Sequence, residues 1–180
     1  MERTFHIYTS LSGLPTSPTT VKQGPGGPDK CGNLLEKGAV TTVHSQKKDS
    51  FVSTLFLVQK TDGGQRPVIS LKPPNNFVNT PHFKMEGIHS LKTLLRRGNW
   101  LVKMYLKDAY FSIPIHPEHQ KFLSFTWGNT NYQFTCLQFG LMSAPWVFTK
   151  TMRPAAALGR ELGMQMVCYI DDILVIAESK

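Results

Sequence analysis

Two adjacent carboxylates, Asp171 and Asp172, lie between the apolar runs Met166-Val167-Cys168-Tyr169-Ile170 and Ile173-Leu174-Val175-Ile176-Ala177. Each run is long enough for a buried strand, which predicts a β-hairpin with the pair at its turn. Asp tolerates the backbone angles of a tight turn. Two carboxylates beside a core are costly unless a cation neutralises them, and hard ions such as Mg2+ take carboxylate oxygens. The chemistry such a pair supports is two-metal nucleotidyl transfer, in which the ions stabilise the attacking and the leaving oxygen. Taken alone, a solvated Asp-Asp turn is the commoner explanation.

Three further segments change that weighting. Gly63-Gly64-Gln65-Arg66-Pro67-Val68-Ile69 comes first, then Leu106-Lys107-Asp108-Ala109-Tyr110-Phe111, then Leu137-Gln138-Phe139-Gly140-Leu141-Met142-Ser143-Ala144-Pro145-Trp146. In this order, with the Asp-Asp hairpin after them, they resemble the reverse transcriptases of LTR- and DIRS-type retrotransposons, from about Leu34 to Lys180. The resemblance implies an α+β fold, fingers and palm, with an antiparallel palm sheet and helices on one face. It implies RNA-directed DNA polymerisation on an RNA or DNA primer–template with deoxynucleotides as substrates. Asp171 and Asp172 would be the catalytic, metal-binding pair, holding Mg2+ or Mn2+.

Residue by residue the match is incomplete. The family pattern Asp-x-x-x-Ala-Tyr/Phe supplies a third metal-binding carboxylate. Here Ala109 and Tyr110 set the register, and the position four before Ala109 is Tyr105. A neutral tyrosine is a poor Mg2+ ligand near pH 7. Asp108 is three residues on, and in a strand an odd offset points to the opposite face, so it does not substitute without a register shift. The resemblance therefore implies weakened metal binding and impaired catalysis in this copy. It places Lys60, Arg66, Asp108, Ala109, Tyr110, Phe139 and Gly140 around the incoming nucleotide: Arg66 as a bidentate phosphate contact with Lys60 beside it, Tyr110 as a gate beneath the sugar, and Phe139-Gly140 as a pocket turn. Three of them have a plainer reading, a solvated hairpin face for Lys60 and Arg66 and a core aromatic for Tyr110. Gln138 stands where relatives usually have proline. Ser70, Lys72 and Pro74 depart from the common Asp, Arg and Leu.

Composition agrees with a nucleic-acid partner. The 180 residues hold 20 Lys plus Arg against 12 Asp plus Glu, a net charge of +8, and 41% are hydrophobic. That suits a globular domain with a polyanionic partner. The positive residues are spread along the chain, as a folded groove requires, although generic solubility would use the same charge. The three cysteines, Cys31, Cys136 and Cys168, form no C-x-x-C, which argues against a zinc ribbon or a disulfide framework. A reducing, intracellular compartment is the simplest fit. No apolar run reaches membrane-spanning length, so no membrane partner is expected. His116-Pro117-Glu118-His119 reads as a surface loop, since Pro117 disrupts a regular helix there and two histidines alone make no zinc site.

The elements that must position these residues are legible in outline. Residues 1–33 read as a flexible Ser/Thr/Pro/Gly-rich leader, and residues 34–180 as a partial reverse transcriptase domain. A short helix ends at Gly38. Strands at Phe51–Val58 and Pro67–Leu71 form a hairpin around Asp62-Gly63-Gly64. Pro73-Pro74-Asn75-Asn76 breaks the chain. A helix over Gly87–Arg97 carries Ile88, Leu91, Leu94 and Leu95 on one face. Leu101–Leu106 reads as a buried strand, and a helix opens near Pro145. The chain stops before the primer-grip hairpin, thumb and RNase H expected of a complete element, which suggests a truncated copy with an exposed apolar edge at Ile173–Ala177. The alternative is a non-catalytic nucleic-acid-binding module derived from a retroelement.

Overall fold

The computed structural model describes residues 29–44, 50–59 and 65–179. Along the chain run α1 (Asp29–Glu36), β1 (Val40–Val43), β2 (Val52–Ser53), β3 (Leu55–Gln59), β4 (Gln65–Ile69), α2 (Lys72–Asn75) and α3 (Ile88–Leu94). Then follow β5 (Trp100–Tyr105), α4 (Pro117–Gln120), β6 (Ser124–Trp127), β7 (Thr130–Phe134), α5 (Ala144–Glu161), β8 (Gln165–Tyr169) and β9 (Asp172–Ala177). The fold is α+β. Two compact units interleave along the sequence, residues 1–80 with 110–144, and residues 81–109 with 145–180.

In the first unit β1 and β6 flank β7 antiparallel, and the two-residue β2 adds to β6 in parallel. Phe125 is fully buried and packs on Tyr132 and Phe134, with ring centroids 5.3 and 5.1 Å away. Offset and tilted aromatic pairs of this kind add to plain area burial. Leu55, Ile115, Leu123 and Leu137 complete the core. Strands β3 and β4 pair antiparallel from Leu55↔Ile69 to Gln59↔Gln65. Their connection, with Asp62-Gly63-Gly64, lies outside the described residues, as does residue 1–28 of the expected leader. Helix α1 starts at Asp29.

The second unit is built on a three-stranded antiparallel sheet, β5-β9-β8. Helix α5 lies close on one side, where a Cβ on Gly159 would come within 2.8 Å of the Met166 sulfur. It ends on Gly163, whose φ of +85° suits glycine. The N–H of Gly163 donates to the Arg160 carbonyl and that of Met164 to the Gly159 carbonyl, which satisfies two carbonyls of the last turn. Helix α3 runs beside the β8 edge.

Four expectations are corrected. Prolines open two short helices that were read as irregular chain: Pro73 and Pro74 in α2, and Pro117 in α4. Proline lacks an N–H that the first helical turn leaves unpaired anyway. The strand at Trp100–Tyr105 is exposed at all six positions; it is an edge strand, paired with β9. Ile173–Ala177 lies in β9, the central strand, and the edges are β5 and β8. Helix α3 stops at Leu94 and buries none of its residues.

Candidate active site

In the second unit Asp171 and Asp172 lie at the β8–β9 hairpin. Tyr169 pairs with Asp172, leaving Ile170 and Asp171 as a two-residue turn. Such loops need a positive φ at the first central position, which Gly or Asn normally supplies. Here Ile170 takes it, with φ +53°. The strained residue is the β-branched Ile170 and not an aspartate, because the register, and not local preference, decides which residue turns the corner. The Leu106 N–H donates to the Asp171 carbonyl at 2.9 Å, tying the turn to the end of β5.

The β5–β9 register sets Tyr105 directly across from Asp172. Cross-strand partners share a face, so Lys103, Tyr105, Val167, Tyr169, Asp172 and Leu174 project to one side. Lys103 Nζ lies 2.9 Å from Asp172 Oδ1, with the two side chains 64% and 43% exposed. At that exposure the pair adds no more than about 1 kcal/mol to stability. Beside it opens a groove of about 490 Å3, lined by Gly87, Ile88, Leu91, Val167 and Leu174 among others. Strand β5 ends at Tyr105, so Asp108 is in a turn with φ +54°. The alternation of a strand therefore does not govern where Asp108 points. Ala109 follows it, buried.

In the first unit Tyr110 is buried and its ring lies 4.6 Å from that of Phe139, which is half exposed. Gly140 follows with φ +90°. Asn75 clamps this turn from 65 residues away: its Nδ2 donates to the Gly140 carbonyl at 2.8 Å and its Oδ1 accepts from the Met142 N–H at 2.8 Å. The side chain of Gln138 turns inward and donates to Cys136 Sγ at 3.7 Å. Arg66 is in β4, paired with Val58. Lys60 lies outside the described residues.

The carboxylate pair and Tyr105 thus come together in one unit, and Tyr110, Phe139 and Gly140 in the other. Residues 58–180 match the family described as "Reverse transcriptase (RNA-dependent DNA polymerase)". The chain belongs to this reverse transcriptase family. It is 25% identical over 171 residues to the Pol polyprotein of equine infectious anemia virus, covering 90% of this chain and 15% of that polyprotein. It is 27% identical over 157 residues to the enzymatic polyprotein of Cestrum yellow leaf curling virus, covering 83% and 23%. Against the transposon Tf2-3 polyprotein of Schizosaccharomyces pombe the values are 24% over 156 residues, covering 87% and 12%. The chain therefore spans less than a quarter of the length of these relatives. The crystal structure of prototype foamy virus protease-reverse transcriptase superposes with a TM-score of 0.74 at 23% identity, covering 99% of this chain and 23% of that one. The foamy viral protease-reverse transcriptase in complex with dsDNA gives 0.75 at 19% identity, covering 97% and 36%. These likenesses establish the reverse transcriptase fold.

The side chains of this reverse transcriptase domain fit a divalent-metal centre only in part: Asp171 and Asp172 are the carboxylates that would hold an ion. Among the described residues no group of three or more His, Cys, Asp or Glu is placed to hold an ion. The position facing Asp172 is a phenol, and an ammonium already contacts its carboxylate. Two residues, one in each unit, escaped the sequence reading. Lys103 carried a detectable signal, since it stands two before Tyr105 and so on the same strand face. The Asn75 clamp had none, because it depends on a contact distant in sequence.

Proposed function

We propose that this chain is the fingers–palm part of an LTR- or DIRS-type retroelement reverse transcriptase, a domain that engages a primer–template and is impaired in polymerisation. The observation that carries the proposal is the pairing of Tyr105 with Asp172 inside a family motif. The register sets a phenol where the family pattern expects a carboxylate. A phenol keeps its proton near pH 7 and offers an ion no charge. Asp171 and Asp172 are the remaining carboxylates of the site, while Arg66, Lys60, Asp108, Ala109, Tyr110, Phe139 and Gly140 are the nucleotide-contacting set that the motifs suggest. The net charge of +8 supports a polyanionic partner. The foamy viral protease-reverse transcriptase, of like fold, is known in complex with dsDNA and with an RNA/DNA hybrid.

Primer extension in Mn2+ tests this, with the unaltered chain, Tyr105→Asp and a double Asp171→Asn, Asp172→Asn variant side by side. The expected result is extension by Tyr105→Asp and none by the unaltered chain above the double variant. Extension by the unaltered chain overturns the impairment. Silence of both, with salt-sensitive binding of primer–template retained, moves the chain to a non-catalytic nucleic-acid-binding module. Absence of binding at low salt removes both readings.

A further inference from the structure

Asp172 already has a cation, and it belongs to this chain. Lys103 lies on β5 two residues before Tyr105, so both side chains leave the same face of the sheet. Lys103 is paired with Leu174 and Tyr105 with Asp172, which puts the ammonium on the diagonal to the carboxylate. It closes that diagonal at 2.9 Å from Oδ1, the distance of a charge-assisted hydrogen bond. An ammonium so placed and a divalent ion compete for one oxygen. A Mg2+ or Mn2+ ion bonded at about 2.1 Å would lie beside the positive charge of Lys103, with only the phenol of Tyr105 across the strand.

We infer that Lys103 takes the place of a divalent ion at Asp172, so that this carboxylate is neutralised from within the sheet and holds metal less tightly, independently of the Tyr105 change. This rests on reading Asp171 and Asp172 as carboxylates of a former metal site. It has a specific consequence: the site carries two separable obstacles to metal, a missing carboxylate at Tyr105 and a resident cation at Lys103. Restoring the carboxylate alone gives only part of the affinity.

Mn2+ titration followed by electron paramagnetic resonance reads this directly, without activity. The full chain is compared with Lys103→Met, Lys103→Arg, Tyr105→Asp and the Lys103→Met, Tyr105→Asp pair. Lys103 is a largely exposed side chain, so these variants leave the fold intact. Lys103→Met is expected to tighten Mn2+ binding by up to about thirtyfold, the size of the repulsion between a unit charge and a divalent ion about 4 Å apart in water. Lys103→Arg keeps the charge and is expected to leave binding weak. In the Tyr105→Asp background, Lys103→Met is expected to tighten binding again by a similar factor. If Tyr105→Asp binds Mn2+ and Lys103→Met adds nothing in either background, the inference is overturned while the functional reading stands. If Lys103→Arg tightens binding as much as Lys103→Met, the effect is not one of charge and the inference is likewise overturned. If none of the variants binds Mn2+, the pair was not a metal site, and the inference and the reading fall together.

Discussion

The turn residue Ile170 and the buried Cys136 are each set by their surroundings and not by their own preference. Ile170 adopts φ +53°, and left-handed backbone costs a side-chain-bearing residue roughly 1–2 kcal/mol. Glycine removes that cost, although its unfolded chain loses more entropy on folding. Ile170→Gly should therefore raise stability by up to about 1 kcal/mol in urea denaturation; a loss of stability would mean that the Ile170 side chain contributes more by packing than its backbone costs. Cys136 is held differently. Burial pushes its thiol from an ordinary 9.0 up to about 11, against smaller opposing effects of the hydrogen bonds from Gln138 and Thr135. Below pH 9 the thiol keeps its proton in both folded and unfolded chain. Between the two values the unfolded chain ionises first and binds fewer protons, so stability falls as pH rises. The loss should reach the order of 2 kcal/mol by pH 11 and be absent from Cys136→Ala, as urea melts at pH 8 and pH 10.5 would show.

At the scale of elements, the β8 edge is closed by side chains. Glu86 Oε2 accepts from the Cys168 N–H at 2.8 Å, and Arg160 Nη2 donates to the Met166 carbonyl at 3.2 Å. The two side chains join each other at 2.6 Å. Together they do what a neighbouring strand would do at residues 166 and 168, and edges left open invite pairing with other chains. Glu86→Ala should cost about 1–2 kcal/mol, given the half-exposed pair, and increase light scattering on concentration. Glu86→Gln keeps an acceptor for the Cys168 N–H and should lose less. This device shows why sequence reading stops where it does. The hairpin at Asp171-Asp172 was legible because its apolar runs and its turn are contiguous. The short helices at Pro73 and Pro117 were missed because proline breaks a helix interior but suits its first turn, and sequence alone did not say which applied. The exposure of Trp100–Tyr105 was missed because an apolar strand reads as buried, while its place at the sheet edge is set by pairing with β9, some 70 residues on. The Glu86–Arg160 bridge and the Asn75 clamp depend on contacts of the same reach.

At the scale of the whole molecule the decisive property is charge. The excess of 20 basic over 12 acidic side chains is +8, and no helix among the described residues is long and apolar enough to cross a membrane. In the second unit the exposed cations include Lys92, Arg96 and Arg97 at the end of α3 and beyond it, and Lys150 and Arg153 on α5. Exposed cations of this kind suit contacts to phosphates, which do not read bases. Each phosphate neutralised releases bound counterions, so the logarithm of the affinity falls linearly with that of salt concentration. If about four to six phosphates are contacted, raising salt from about 50 to 200 mM should weaken primer–template binding roughly 10²–10³-fold. Fluorescence anisotropy with a labelled duplex measures the slope. Lys103→Met should leave that slope nearly unchanged, because its ammonium is engaged with Asp172, whereas a paired Arg96→Ala, Arg97→Ala variant should flatten it by up to about two phosphates' worth. A flat dependence in the unaltered chain would assign the charge to solubility and leave the fold without its expected partner. A slope that Lys103→Met flattens as much as the arginine pair would place that ammonium on phosphate and not on Asp172.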